Sequence, residues 1–167
     1  MSTQLLSTGL RWLWITVIII IIDFISKQLV MNYLVLGEIH PKLTFLHLNF
    51  YYVHNIGAAF NLLADQSGWQ RWFFIIISVI AVFCFITMMY KTKRINKIIN
   101  IALALILGGT LSNLLDRFTY GFVIDFIDVY IQNWHLPTFN IADLAIFIGI
   151  ILIIFERIFI SHSKYSR

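Results

Sequence analysis

The amino-acid sequence predicts a mainly α-helical integral membrane protein of four transmembrane helices, and three observations carry that expectation. Of 167 residues, 60% are hydrophobic and only 12% charged, with a mean hydropathy of +0.85. Soluble domains carry roughly 25% charge and about 45–50% apolar residues, so a soluble chain of this composition would lack a polar surface. Four long apolar runs punctuate the chain, and one short connection between two of them is densely basic. The length suits one compact membrane domain over residues 1–167.

The predicted spans are residues 12–31, 72–90, 98–115 and 139–160. Each is close to the ~20 residues that a helix needs to cross a hydrocarbon layer. Arg11 precedes the first run, but Asp23 and Lys27 interrupt it and no small-residue cleavage site follows. It therefore reads as a retained span and not as a removable leader. Lys91, Lys93, Arg94 and Lys97 crowd the connection after the second run, the pattern of a cytoplasmic loop. That places both termini inside as well, in agreement with Arg11, Arg157, Lys164 and Arg167. Asp23, Glu38, Asp65, Asp116, Asp125, Asp128 and Asp143 fall in outer loops or outer halves of spans, so the chemistry is expected to face outward.

Two outer loops remain, residues 32–71 and 116–138. Residues 43–53 (LTFLHLNFYYV) and 122–131 (FVIDFIDVYI) are rich in aromatic and β-branched residues and read as strands. A small sheet on the membrane surface would pair them. Asp65, Gln66, Ser67 and Gly68 form a polar turn, and Trp69, Trp72 and Trp134 suit an interfacial aromatic belt.

The net charge of +4 does not point to nucleic acid, because the cations are concentrated at one membrane face. Cys84, the only cysteine, lies in an apolar run, which excludes an internal disulfide and leaves it a packing residue. The five histidines have no H-E-x-x-H spacing, and no G-x-S-x-G occurs. Metalloprotease and serine hydrolase chemistry have no motif here.

The carboxylates remain. Asp23 and Lys27 stand four apart on one helix face, a neutralised pair that makes a charged span tolerable. In LGGTLSNLLDR, residues 107–117, Gly108 and Gly109 allow close helix approach. Asn113 and Arg117 share a side near the boundary, either as anchors or as groups that hold peptide carbonyls. Asp116 could neutralise Arg117. In FNIAD, residues 139–143, Asn140 is a good N-cap and Asp143 complements the helix dipole. Asp125 could be an ordinary surface-strand residue, with Asp128 on the opposite strand face. The alternative is a pair. Residues 133–137 form a turn after the second strand, and a hairpin-like return would bring Asp125 close to Asp143. Two such carboxyls at a dry boundary share a proton, one activating water and the other protonating a carbonyl. An ion-coupled transporter with Asp23, Lys27 and Asp143 as relay groups is the rival reading, and a structural subunit tolerant of change at both aspartates a third. The clustering of acids at one edge and the lack of half-to-half symmetry weigh against the transporter.

VHNIGAAF (53–60), GGTLSNLLDR (108–117), VIDFIDVY (123–130) and FNIADLAI (139–146), in that order and with Asp23 and Lys27 before them, resemble the bacterial lipoprotein signal peptidases. The resemblance extends over nearly the whole chain. It implies an aspartyl endopeptidase of the bacterial plasma membrane that works without metal or other cofactor. Such enzymes cleave prolipoproteins just before a cysteine that already carries diacylglycerol, so the implied partners are those precursors and membrane lipids, with the enzyme acting as a monomer. It also implies four transmembrane helices with a small extracytoplasmic β-sheet cradle and a short interfacial helix within residues 57–68. Asp125 and Asp143 match the catalytic dyad. Asn55, Asn113 and Arg117 match residues that position substrate or support the site, and Asn140 matches a neighbour of Asp143. Leu144 departs from the small polar residue expected beside the dyad.

Overall fold

In the computed structural model, residues 7–40, 47–57 and 68–160 are described. A 3₁₀ turn, Gly9–Trp12, leads into helix α1, Leu13–Tyr33, followed by strand β1, Leu48–Asn55. Helices α2, Trp69–Lys91, and α3, Lys97–Thr119, form an antiparallel hairpin closed by the basic loop. Strands β2, Val123–Ile131, and β3, Trp134–His135, precede helix α4, Ile141–Phe155, which continues as a π-helical turn, Glu156–Ile160. The helices α1, α2 and α3 are long and apolar enough to cross a membrane. The expected interfacial helix and the polar turn at Asp65, Gln66 and Ser67 lie outside the described residues, as do residues 43–46 of the first predicted strand.

The bundle is greasy outside and buries polar groups among apolar ones inside. Ile21, Phe24 and Ile25 on α1, Ile76, Ile80 and Phe83 on α2, and Phe147, Ile150 and Ile151 on α4 point outward. Asp23, Lys27, Asn100, Asn113 and Asn140 are buried. Such an arrangement is stable only where the surroundings are apolar and the interior groups bond one another. α3 is the central helix, with Ala102, Leu103, Ala104, Ile106 and Leu107 buried along it. Its small residues set the spacing of its neighbours. A Cβ on Gly108 would sit 2.9 Å from the Ile19 Cβ of α1, and one on Gly109 would collide with the Ala142 carbonyl of α4. α4 reciprocates with Gly149, whose Cβ would meet the Ala102 carbonyl at 2.8 Å.

The antiparallel sheet has the order β1-β2-β3. Asn55 lies opposite Val123, Val53 opposite Asp125 and Phe50 opposite Ile127, so β1 carries one extra residue between Phe50 and Val53. This bulge bends the strand beside Asp125. After β2 the chain turns through Gln132, which has a positive φ of 55°, and returns as β3. The return continues to Phe139, whose N–H donates to the Ile127 carbonyl at 3.0 Å while its own carbonyl accepts from Ile127 at 2.8 Å. Pairing at Phe139 delivers the start of α4 to the flank of β2.

Candidate active site

Where α4 begins against β2, the two aspartates singled out in the sequence are linked through one amide. Asn140 is the N-cap of α4: its Oδ1 accepts from the Asp143 N–H at 2.9 Å, and the Asp143 Oδ2 accepts from the Asn140 N–H at 3.2 Å. This reciprocal capping box satisfies two helix-end donors and pins both side chains. The Asn140 Nδ2 then donates to Asp125 Oδ1 at 2.7 Å. The capping reading and the site reading of Asn140 and Asp143 therefore describe the same bonds.

Each carboxylate has a second amide donor. Asn55, at the end of β1, donates to Asp125 Oδ2 at 2.9 Å, and Asn113 on α3 donates to Asp143 Oδ1 at 2.8 Å. The Asn113 Oδ1 in turn receives Asn140 and Lys27, both at 3.1 Å. Asp125 is only 1% exposed. Burial and the charge of Asp143 push its carboxyl up to about 7, against the pull of Asn55, Lys27 and Asn140. A proton held near neutrality is what a general acid needs.

Beneath the pair lies an ionic brace. Lys27 reaches Asp23 at 2.6 Å, Asp116 at 2.7 Å and the Asn113 amide oxygen, engaging the three donors of its ammonium. Asp23 also accepts from Ser112 Oγ at 2.6 Å and from the Ala142 N–H at 2.8 Å, so it holds the first turn of α4 as well as neutralising Lys27. Asp116 does not pair with Arg117. Adjacent helical residues do not face one another, and Asp116 instead accepts from Lys27 and from the Ile124 N–H at 3.2 Å. Ser112 and Asp116 were not singled out as site residues in the sequence. Their signal was the run Gly109, Ser112, Asn113, Asp116, a small and polar stripe on one helix face.

Arg117 reaches the Gly57 carbonyl at 3.1 Å, with its guanidinium 5.2 Å from the Phe74 ring centroid. It faces Asp125 and Asp143 electrostatically, yet among the described residues it is in salt-bridge contact with neither. Gly57 N–H is held by Asn55 Oδ1 at 3.0 Å, so Asn55 and Arg117 together anchor the chain segment that leaves β1.

A cleft of about 530 Å³ opens on this arrangement, lined by Val53, His54, Asn55, Asp125, Asp128 and His135. Asp128 is buried, accepts from Asn49 Nδ2 at 3.0 Å, bonds His135 Nδ1 at 2.9 Å, and lines the same cleft as Asp125. Burial also lowers the His54 imidazole below its ordinary value. Among the described residues no three His, Cys, Asp or Glu side chains gather as a metal-ligand set.

Comparison with known proteins gives a consistent result. The family described as Signal peptidase (SPase) II matches residues 15–159. A lipoprotein signal peptidase of Serratia proteamaculans is 49% identical over 167 residues, covering 100% of this chain and 98% of that protein. One from Yersinia enterocolitica is 51% identical over 93% of this chain and 91% of its own length. A bacterial membrane enzyme solved by the in meso method at 2.3 Å superposes with a TM-score of 0.77 at 32% identity, covering 93% of this chain and 89% of its own. A second, at 1.9 Å, gives 0.78 at 31% identity over 89% of this chain and 93% of its own.

Proposed function

The chain belongs to the signal peptidase II family, and we propose that it removes signal peptides from prolipoproteins by aspartyl catalysis at Asp125 and Asp143. The observation that supports the catalytic assignment is the double engagement of Asn140, which donates to the Asp125 carboxyl and caps the helix turn that carries Asp143.

The pair works with one shared proton. The ionised carboxylate takes a proton from water, and the water oxygen bonds to the scissile carbonyl carbon. The protonated carboxyl gives its proton to the carbonyl oxygen. When the tetrahedral gem-diol collapses, a hydroxyl returns its proton to the carboxyl that had protonated the carbonyl oxygen, the C–N bond breaks, and the amine leaves with the proton that the other carboxyl took from water, which restores the starting state. Asn55, Asn113 and Asn140 hold the carboxyls in place, and Arg117 presents N–H donors toward the peptide backbone. Asp23 and Lys27 are positioning residues that tie α1, α3 and α4 together. With every Lys27 donor engaged and Asp23 fully buried, neither is disposed as a transport relay.

The location follows from the substrate. A precursor carrying a diacylglyceryl cysteine and an apolar leader presents its scissile bond at the lipid–water boundary. The dyad lies where β2 meets the start of α4, at the end of the bundle away from the basic loop. We read α4 and its π-helical continuation as a fourth span, both termini as cytoplasmic, the cleft as facing the outer side of the plasma membrane, and the single membrane domain as acting alone.

The test is product chemistry. Purified chain should release from a diacylglyceryl-modified precursor one peptide ending just before the modified cysteine, read by mass spectrometry. Equal cleavage of the unmodified precursor, or cleavage elsewhere, would contradict the reading.

A further inference from the structure

A recess at the opposite end of the bundle from the dyad has no part in the chemistry above. It encloses about 1170 Å³ and is lined by Arg11, Lys93, Arg94 and Lys97 together with Trp12 and Trp14. Along α3 it is separated from Asn113 by sixteen residues, about 24 Å at the helical rise.

The recess is built, not merely charged. The segment entering the Gly9–Trp12 turn is stitched to the basic loop: Gly9 N–H donates to the Thr92 carbonyl at 2.8 Å and Arg94 N–H to the Ser7 carbonyl at 2.9 Å. From below, the buried Asn100 donates to the Lys93 carbonyl at 3.0 Å. These bonds hold the cations of two separate chain segments around one space. No acidic residue lines it, and among the described residues none of its four cations forms a salt bridge. Trp12 carries a buried indole N–H with no acceptor among the described residues, while Trp14 is 56% exposed and stacks on Trp12 with centroids 6.4 Å apart. Ile95, at the tip of the loop and 79% exposed, gives the rim an apolar edge.

We propose that this recess binds the phosphodiester headgroup of an anionic phospholipid. Four cations with no salt-bridge partner among the described residues suit a phosphate oxyanion. The Trp pair and Ile95, continuous with the apolar flank of α1, suit the glycerol and the first acyl methylenes. Free phosphate would meet the charges but not the apolar rim, so the lipid is the ligand that uses all of the lining.

The test is native mass spectrometry of the full chain released from micelles containing equal amounts of phosphatidylglycerol and phosphatidylcholine. The wild type should retain phosphatidylglycerol preferentially. Arg11→Gln/Arg94→Gln should reduce that preference by about tenfold, whereas Arg11→Lys/Arg94→Lys and the control Arg157→Gln should keep most of it. Circular dichroism establishes that each variant is folded, and the charge-retaining pair keeps the test decisive if the neutral pair is not. Absence of a headgroup preference in the wild type, or its persistence in the folded neutral pair, would overturn the proposal. So would loss of the preference in the charge-retaining pair, or displacement of the lipid by millimolar inorganic phosphate, which would make the recess a site for the soluble anion.

Discussion

Asn140 donates to Asp125 across a 2.7 Å hydrogen bond while capping the helix that carries Asp143. One side chain thus sets the position of both acids, and its loss should affect fold and chemistry together. Asn140→Ala should cost about 1–2 kcal/mol as a lost cap and lower kcat/KM by about 100-fold through misplacement of the pair. Asn140→Ser keeps a capping oxygen but loses the amide that reaches Asp125. It should recover the thermal midpoint and not the activity. Thermal unfolding in detergent beside a cleavage assay separates the two effects.

Lys27 is 2% exposed and serves two carboxylates. Lys27→Met strands both, and removing one member of a buried ionic cluster typically costs about 3–5 kcal/mol. Adding Asp23→Asn to that variant should restore part of the loss, because one stranded charge disappears. A double-mutant cycle on unfolding midpoints reads the coupling, and strictly additive effects would show that the brace is not a unit.

The pH response follows from Asp125. Its folded-state value of about 7 lies above the ordinary 3.8, so the folded protein holds this proton more tightly than the unfolded chain does. The resulting stabilisation is fully present below pH 3.8 and is lost as pH rises through about 7. The difference in stability between wild type and Asp125→Asn should therefore change across that window and be flat above it. Activity should fall on an alkaline limb near pH 7, where the shared proton leaves. A kcat/KM profile level from pH 6 to 9 would contradict the shared-proton account.

Gly109 lets α3 touch the backbone of α4 one residue before Asp143, at the Ala142 carbonyl. Gly109→Ala forces the helices apart, with a cost of about 1–3 kcal/mol. It should also lower kcat, since the shift is transmitted to Asp143. At Gly149, two turns further along α4, substitution by Ala should destabilise comparably and change kcat less. Paired measurements of unfolding midpoint and kcat make the comparison.

Much of this arrangement is legible in the chain itself. The helices α1, α2 and α3 announce themselves by apolar length, and the i,i+4 spacing of Asp23 and Lys27 forecasts their ion pair. The ordered motifs around Asn55, Asn113, Asp125 and Asn140–Asp143 single out the residues that the fold gathers, and the return after residues 133–137 is readable as a hairpin. What stayed hidden is non-local. Neither the Asp23 bond to the Ala142 N–H nor the choice of Lys27 over Arg117 as partner of Asp116 leaves a mark in a local window. The bulge in β1 between Phe50 and Val53 is a one-residue register event that alternation cannot reveal.

The most direct measurement is cleavage of a diacylglyceryl-modified precursor by purified Asp125→Asn and Asp143→Asn, each isosteric and each checked for an unchanged unfolding transition. Two carboxyls acting as one unit predict that either change lowers kcat by about 10³-fold or more, with the double variant scarcely worse than the single ones. Turnover within about tenfold of wild type in either single variant would contradict the account.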